Sequence, residues 1–249
     1  MAKVSRKDII RLDLLLVDRG LVESREKAKG MIMAGLVEVN NRLSDKPGHL
    51  IPVSSEISLK KPSLPYVSRG GLKLEAALDH FSVEVKGKVL LDVGASTGGF
   101  TDCLLQRGTE KVIAVDVGYG QLHWTIRQDP RVTVLEKTNI RYLSPDQVQG
   151  PIHGAVIDVS FISLRLVIPP VSHLLLDHAF IIALIKPQFE VEKGQVGKGG
   201  VVRDPSLRET VVADLCRFLE DMSWTVKGHM PSPILGPKGN QEFLVYLKR

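Results

Sequence analysis

The stretch Leu90-Leu91-Asp92-Val93-Gly94-Ala95-Ser96-Thr97-Gly98-Gly99-Phe100-Thr101 is an apolar strand that runs into a glycine-rich turn and directly on into a helix. The first N–H groups of such a helix have no partner within it, and they point back over a turn whose glycines leave the backbone bare, so a polar ligand can lie there. About twenty residues on, Lys111-Val112-Ile113-Ala114-Val115 reads as a second strand ending in Asp116, where a carboxylate can accept both hydroxyls of a ribose. Together these features predict a site for a nucleoside-bearing ligand.

The dinucleotide pattern G-x-G-x-x-G is absent. Asp92 stands two residues before Gly94, where it would repel a pyrophosphate but suits a cationic amino-acid end. The run resembles the first motif of the class I S-adenosylmethionine methyltransferases. That resemblance puts Asp92 by the methionine part, makes Gly94, Ser96, Gly98, Gly99 and Phe100 the cofactor cradle, and sets Asp116 on the ribose. Asn139 either contacts adenine or caps its own loop. ATP is the rival ligand, but the glycines around Lys198 lack the spacing and the Ser or Thr of a phosphate loop.

The composition is that of a globular protein, 43% hydrophobic and 24% charged over 249 residues. The net charge of +5 is uneven, with +4 falling in residues 1–65, so the first part suggests a polyanionic partner. Cys103 and Cys216 make neither a disulfide framework nor a metal-ligand spacing. No metal is expected. The N-terminus leads into no long apolar run, and Leu174 to Ile185 is interrupted by Asp177 and His178, which predicts neither signal peptide nor membrane span. A cytoplasmic monomer is expected.

Residues 1–60 read as a small α+β domain, 61–67 as a linker and 68–249 as a second domain. In the first, apolar residues from Leu12 to Val17 recur at helical spacing before Gly20, and Ser24 can cap a helix from Arg25 to Met33 that Gly35 ends. Leu36 to Val39 and Val53 to Leu59 read as strands. The ensemble of Arg11-Leu12-Asp13, Ser24-Arg25 with Ala28, and Ala34 to Asn40 resembles the small RNA-binding domain named after ribosomal protein S-four. On that resemblance Arg11, Arg25, Lys27 and Lys29, with Arg6 before them, would meet phosphates. Arg69, after the linker, joins this set.

After a helix from Leu72 to Asp79, strands (Val89–Val93, Val112–Asp116, Val132–Glu136, Ala155–Asp158, Phe180–Ile185, Thr225–His229, Glu242–Leu247) alternate with helices (Phe100–Gln106, Leu122–Arg127, Leu164–Leu176, Ser206–Asp221). This order predicts an α/β fold, a mostly parallel Rossmann-like sheet with helices on both faces and an antiparallel final pair. Sites in such sheets collect at the carboxyl ends of strands. Asp158 and Lys186 close strands there, Glu242 opens an antiparallel strand at the same edge, and Lys73 lies on a helix able to cover it.

Lys73, Asp158, Lys186 and Glu242 resemble the K-D-K-E tetrad of ribose 2′-O-methyltransferases of the FtsJ type. With the domain in front, the chain resembles the TlyA family, often labelled haemolysin. The resemblance implies S-adenosylmethionine as cofactor and a cytidine 2′-hydroxyl of small- or large-subunit ribosomal RNA as target. Lys186 would steer the hydroxyl as base or as stabiliser of the developing alkoxide, Asp158 would orient Lys186 and sit by the cofactor's methyl end, and Glu242 and Lys73 would fix the hydroxyl and its ribose. Phe161 either stacks on the target base or fills a strand–helix junction. The loop from Gln188 to Arg203 is a lid, a phosphate clamp or a plain connector. A catalytically silent RNA-binding assembly factor and a membrane-lytic protein are the other classes, the last disfavoured by the lack of a span.

Overall fold

A computed structural model describes residues 9–33, 35–60, 64–148, 150–197 and 199–249. The chain forms two compact units, Met1–Pro65 and Tyr66–Arg249.

In the first unit, β1 (Ile9–Arg11) leads into α1 (Leu12–Asp18), and α2 (Arg25–Met33) follows. Gly20 and Gly35 end the two helices with φ of 66° and 70°, a conformation glycine adopts without a Cβ penalty. The Ser24 hydroxyl accepts the Lys27 N–H at 3.2 Å as the expected cap. Strand β2 (Val37–Val39) lies between β3 (Arg42–Leu43) and β5 (Ile57–Leu59). Asn40 and Asn41, both at positive φ, make the tight turn from β2 to β3. Leu12, Leu15, Leu16, Ala28, Ile32 and Val37 form the core and are fully buried. The strand expected over Val53–Leu59 starts only at Ile57, because Val53 and Ser54 turn. An unforeseen strand, β4 (Leu50–Pro52), instead pairs with β1.

The second unit opens with α3 (Gly70–His80). It continues as β6 (Val89–Val93), α4 (Gly99–Gln106), β7 (Lys111–Val115), α5 (Trp124–Arg127), β8 (Val132–Leu135), β9 (Gly154–Ile157), α6 (Leu164–Ser172), β10 (Phe180–Ile185), α7 (Pro187–Glu190), α8 (Pro205–Asp221), β11 (Thr225–Pro231) and β12 (Phe243–Lys248). These strands make one seven-stranded sheet in the order β11-β12-β10-β9-β6-β7-β8. From β10 to β8 neighbours are parallel; β12 runs antiparallel to both β10 and β11.

Side chains alternate across each strand. Leu91, Val93, Ile181, Ala183 and Ile185 pack with α6 and α8. Leu90, Ile182 and Leu184 pack with Leu74, Ala77 and Leu78 of α3 and with Phe100, Cys103 and Leu104 of α4. The sheet is thus covered on both faces, as expected. Helix α6 stops at Ser172, short of the expected Leu176. Pro169 and Pro170 inside it remove backbone donors, and Leu176 instead donates its N–H to the Ile152 carbonyl. Helix α5 begins at Trp124 rather than Leu122, because the His123 ring accepts the Thr125 N–H as its cap.

Candidate active site

A cavity of about 400 Å³ opens at the carboxyl ends of β6, β7 and β9. Gly94, Ser96, Asp116, Asn139 and Asp158 of the expected set line it, together with Phe161. Val117, Gln121, Thr138, Ile140, Val159 and Ser160 also line it and were not anticipated. Their apolar members come from irregular segments (Val117, Val159) and a three-residue 3-10 turn (Ile140), too short to carry a periodic signal.

Asp116 ties the two strand tips together: Oδ2 accepts the Ser96 N–H and Oδ1 the Gly118 N–H, each at 2.7 Å. A carboxylate oxygen has a second lone pair, so both oxygens can still accept a hydroxyl. Asn139 Oδ1 accepts the Arg141 N–H at 3.1 Å, so this residue caps its loop while also facing the cavity. Gly94 has φ of 84°, and a Cβ there would stand 2.6 Å from the Asp158 carbonyl oxygen. Only glycine lets the turn pass that close.

Gly98 and Gly99 serve packing within the protein and do not line the cavity. A Cβ on Gly98 would meet Leu122 at 2.9 Å, and one on Gly99 would meet Ser68 Oγ at 2.2 Å. Phe100 also lies away from the cavity, buried in the core beside α3. Asp92 is fully buried beneath the turn and accepts the Thr101 hydroxyl at 2.6 Å on Oδ2. Its Oδ1 has no hydrogen-bond partner among the described residues. Burial pushes its pKa up to about 7, opposed by the Thr101 bond and reinforced by the nearby charges of Asp158 and Asp116.

The four polar residues at the sheet edge form two ion pairs. Lys73 Nζ donates to Glu242 Oε2 at 2.6 Å, and both residues are buried. Lys186 Nζ lies 2.6 Å from Asp158 Oδ1 and 2.8 Å from Ser160 Oγ. Asp158, Lys186 and Glu242 are each two residues from an apolar neighbour (Val156, Leu184 and Leu244) on the α3 side of the sheet, so they share its face. The β10–β12 register, which pairs Ile185 with Phe243, puts Lys186 opposite Glu242. Gly236 forms the wall behind Glu242, for a Cβ there would stand 2.1 Å from Oε1.

Phe161 is 90% exposed at the cavity rim with φ of 64°, its ring centroid 5.1 Å from that of Phe189. It fills no junction. The loop after Lys186 is organised rather than a bare connector: Asn240 donates to the Gly200 carbonyl at 3.0 Å and accepts the Val202 N–H at 3.2 Å. Lys198 lies outside the described residues.

In the first unit, Arg11 and Arg25 are not free cations. Arg11 Nε and Nη2 grip the buried Asp13 at 2.9 Å each, and Arg25 Nε reaches it at 3.0 Å. The Arg11 hydrogen bond, more than any other contact, pulls the Asp13 pKa down to about 2. Lys27 pairs with Glu23 at 3.1 Å. Lys29 is half-buried and Arg69 is exposed, while Arg6 lies outside the described residues. Among the described residues no group of His, Cys, Asp and Glu could hold a metal ion, and no helix is long and apolar enough to cross a membrane.

Residues 66–249 match the family model of the FtsJ-like methyltransferases, and residues 10–57 match that of the S4 domain. The chain is 52% identical to YqxC of Bacillus subtilis over 238 residues, which are 95% of this chain and 85% of that one. It is 46% identical over 239 residues to the 16S/23S rRNA (cytidine-2′-O)-methyltransferase TlyA of Mycobacterium tuberculosis, covering 96% of this chain and 89% of the relative. A solved chain from Streptococcus thermophilus, named as a hemolysin, superposes with a TM-score of 0.74 at 47% identity, over 97% of this chain and 89% of that one.

Proposed function

The chain belongs to the TlyA family of FtsJ-like methyltransferases, and from that premise we propose that it methylates a ribose 2′-hydroxyl of ribosomal RNA, a cytidine in the small or the large subunit, using S-adenosylmethionine. The observation that carries this reading is the pair of lysine–carboxylate contacts on one face of the sheet edge, with Asp158 shared between that edge and the cavity wall.

The cavity suits the cofactor. Asp116 offers lone pairs for ribose hydroxyls, Val117 and Ile140 offer apolar surface for adenine, and the unpartnered Asp92 Oδ1 is an acceptor near the turn whose carboxyl a cationic end would draw into its ionised form. Bound there, S-adenosylmethionine supplies an electrophilic methyl group on a sulfonium.

The remaining work falls to the chain's own residues. A protonated ribose hydroxyl is a poor nucleophile, so it must be aimed in line with the methyl carbon and must lose its proton during attack. Lys186 steers that oxygen: as the ammonium of the Asp158 pair it stabilises the developing negative charge while the proton passes to water, and to act as base it must first give up its own proton; Asp158 and Ser160 fix the lysine. Lys73 and Glu242 position the ribose. Phe161 stacks on the base, because an exposed ring at the rim suits an unpaired nucleotide. The basic first unit holds phosphates without reading sequence, and a ribosomal substrate implies action in the cytoplasm.

The test is label transfer from S-adenosylmethionine to undermethylated small- and large-subunit particles, mapped after nuclease digestion. A 2′-O-methylated cytidine that disappears with Lys186→Ala is the expected result. Full transfer by Lys186→Ala would overturn the role given to the lysine. Cofactor binding with no transfer to either particle would overturn the substrate, and no cofactor binding at all would favour an RNA-binding assembly factor.

A further inference from the structure

The segment leaving β10 is fastened along the loop leaving β9 by a series of contacts. Lys186 holds Asp158 and Ser160, and Phe189 lies against Phe161. Glu190 makes the next rung. Its Oε2 accepts the Ser163 hydroxyl at 2.6 Å and its Oε1 accepts the Leu164 N–H at 2.7 Å. Leu164 is the first residue of α6, and that N–H is one of the donors a helix start leaves without an internal partner. Glu190 therefore caps α6 from another segment. Ser163 Oγ also accepts the Arg165 N–H at 3.1 Å, which leaves it one lone pair.

Between these anchors stands Phe161, exposed and in a left-handed conformation that costs a bulky L-residue free energy. Such a conformation persists only where its flanks are held. Lys186 holds the upstream flank and Glu190 the downstream one. We infer that Glu190 is a positioning residue for the methyl-transfer reaction: it presents Phe161 to the incoming base without touching substrate. The inference rests on the proposed function.

Glutamine can keep both rungs, with its oxygen accepting the Leu164 N–H and its amide donating to Ser163 Oγ; alanine keeps neither. Glu190→Ala should therefore lower kcat/KM for ribosomal particles by roughly 30-fold, while the Kd for S-adenosylmethionine stays within about threefold and Glu190→Gln restores most of the loss. In a Phe161→Ala background, Glu190→Ala should add less than about threefold, because its effect runs through the ring.

A second readout needs no activity. In protein carrying 4-fluorophenylalanine, the ¹⁹F line lost in Phe161→Ala is the line of Phe161. That line should move in Glu190→Ala as the ring loses the Phe189 ring beside it, 5.1 Å away in the wild type, and return in Glu190→Gln. Ser163→Ala, which removes the hydroxyl rung and the cap on the Arg165 N–H but keeps the Leu164 rung, should move it partway and serves if Glu190→Ala does not fold. Additive losses in the double variant, or an unmoved ¹⁹F line, would overturn the inference. A wild-type protein that transfers no methyl group yet shows the ¹⁹F shift would overturn the proposed function and leave the positioning of Phe161 supported.

Discussion

Lys73 on α3 and Glu242 at the start of β12 are 169 residues apart in sequence and meet at 2.6 Å, both shut away from water. The contact fixes the helix before β6 to the last strand of the sheet. Breaking a buried pair from one side leaves the other charge uncompensated, at about 3–5 kcal/mol. Lys73→Met should therefore lose close to that in urea unfolding, and the double variant Lys73→Met/Glu242→Gln, with no stranded charge, should recover at least half. Equal stability of Lys73→Met and wild type would contradict the pair.

Asp92 gives stability a pH dependence of definite sign. Its ordinary pKa is 3.8, and in the folded chain burial raises it to about 7. Between these values the unfolded chain has released the proton and the folded chain keeps it. Stability is thus highest below the ordinary value and falls as pH rises, by up to about 1.4 kcal/mol per pH unit, until it levels off above the folded pKa. Asp92→Asn carries no such proton, so its stability relative to wild type should improve from pH 5 to pH 8. Urea titrations of both proteins across that range check this, and a difference that does not vary with pH would show that the carboxyl is already ionised in the fold.

Most of the second unit was readable because its strands are apolar runs broken by glycines, and because Asp158, Lys186 and Glu242 are polar where a core strand would end. The chemistry of the glycine turn was less readable. Gly94, Gly98 and Gly99 look alike in sequence, yet Gly94 makes room for the Asp158 backbone, Gly98 for Leu122 and Gly99 for Ser68. A glycine that admits a ligand and one that admits another part of the chain leave the same letter. Strands β1 and β4 have three residues each, too few to show a period, and the first is hidden by its continuation into α1. The sequence shows Asp13 only as a member of the Arg11-Leu12-Asp13 run; helical periodicity carries no sign that it is the partner that organises both arginines.

That organisation separates two residues that composition treats as equals. Arg11 spends Nε and Nη2 on Asp13, and its Nη1 lies where a Cβ on Gly48 would come within 3.2 Å. Arg25 spends only Nε, so its two terminal nitrogens keep donors able to reach a phosphate. A phosphate contact releases counterions and contributes about 0.9 to the slope of log affinity against log salt on a duplex, or about 0.7 on a single strand. Arg25→Ala should therefore flatten the salt dependence of ribosomal RNA binding by close to one such contact at little cost in stability. Arg11→Ala should do the reverse, leaving the slope nearly unchanged and lowering the unfolding midpoint, because it strips the bidentate partner from a buried carboxylate. Salt titrations of RNA affinity beside thermal unfolding of both variants decide it; an equal loss of slope in the two would mean that the grip of Arg11 on Asp13 does not keep it from the phosphates.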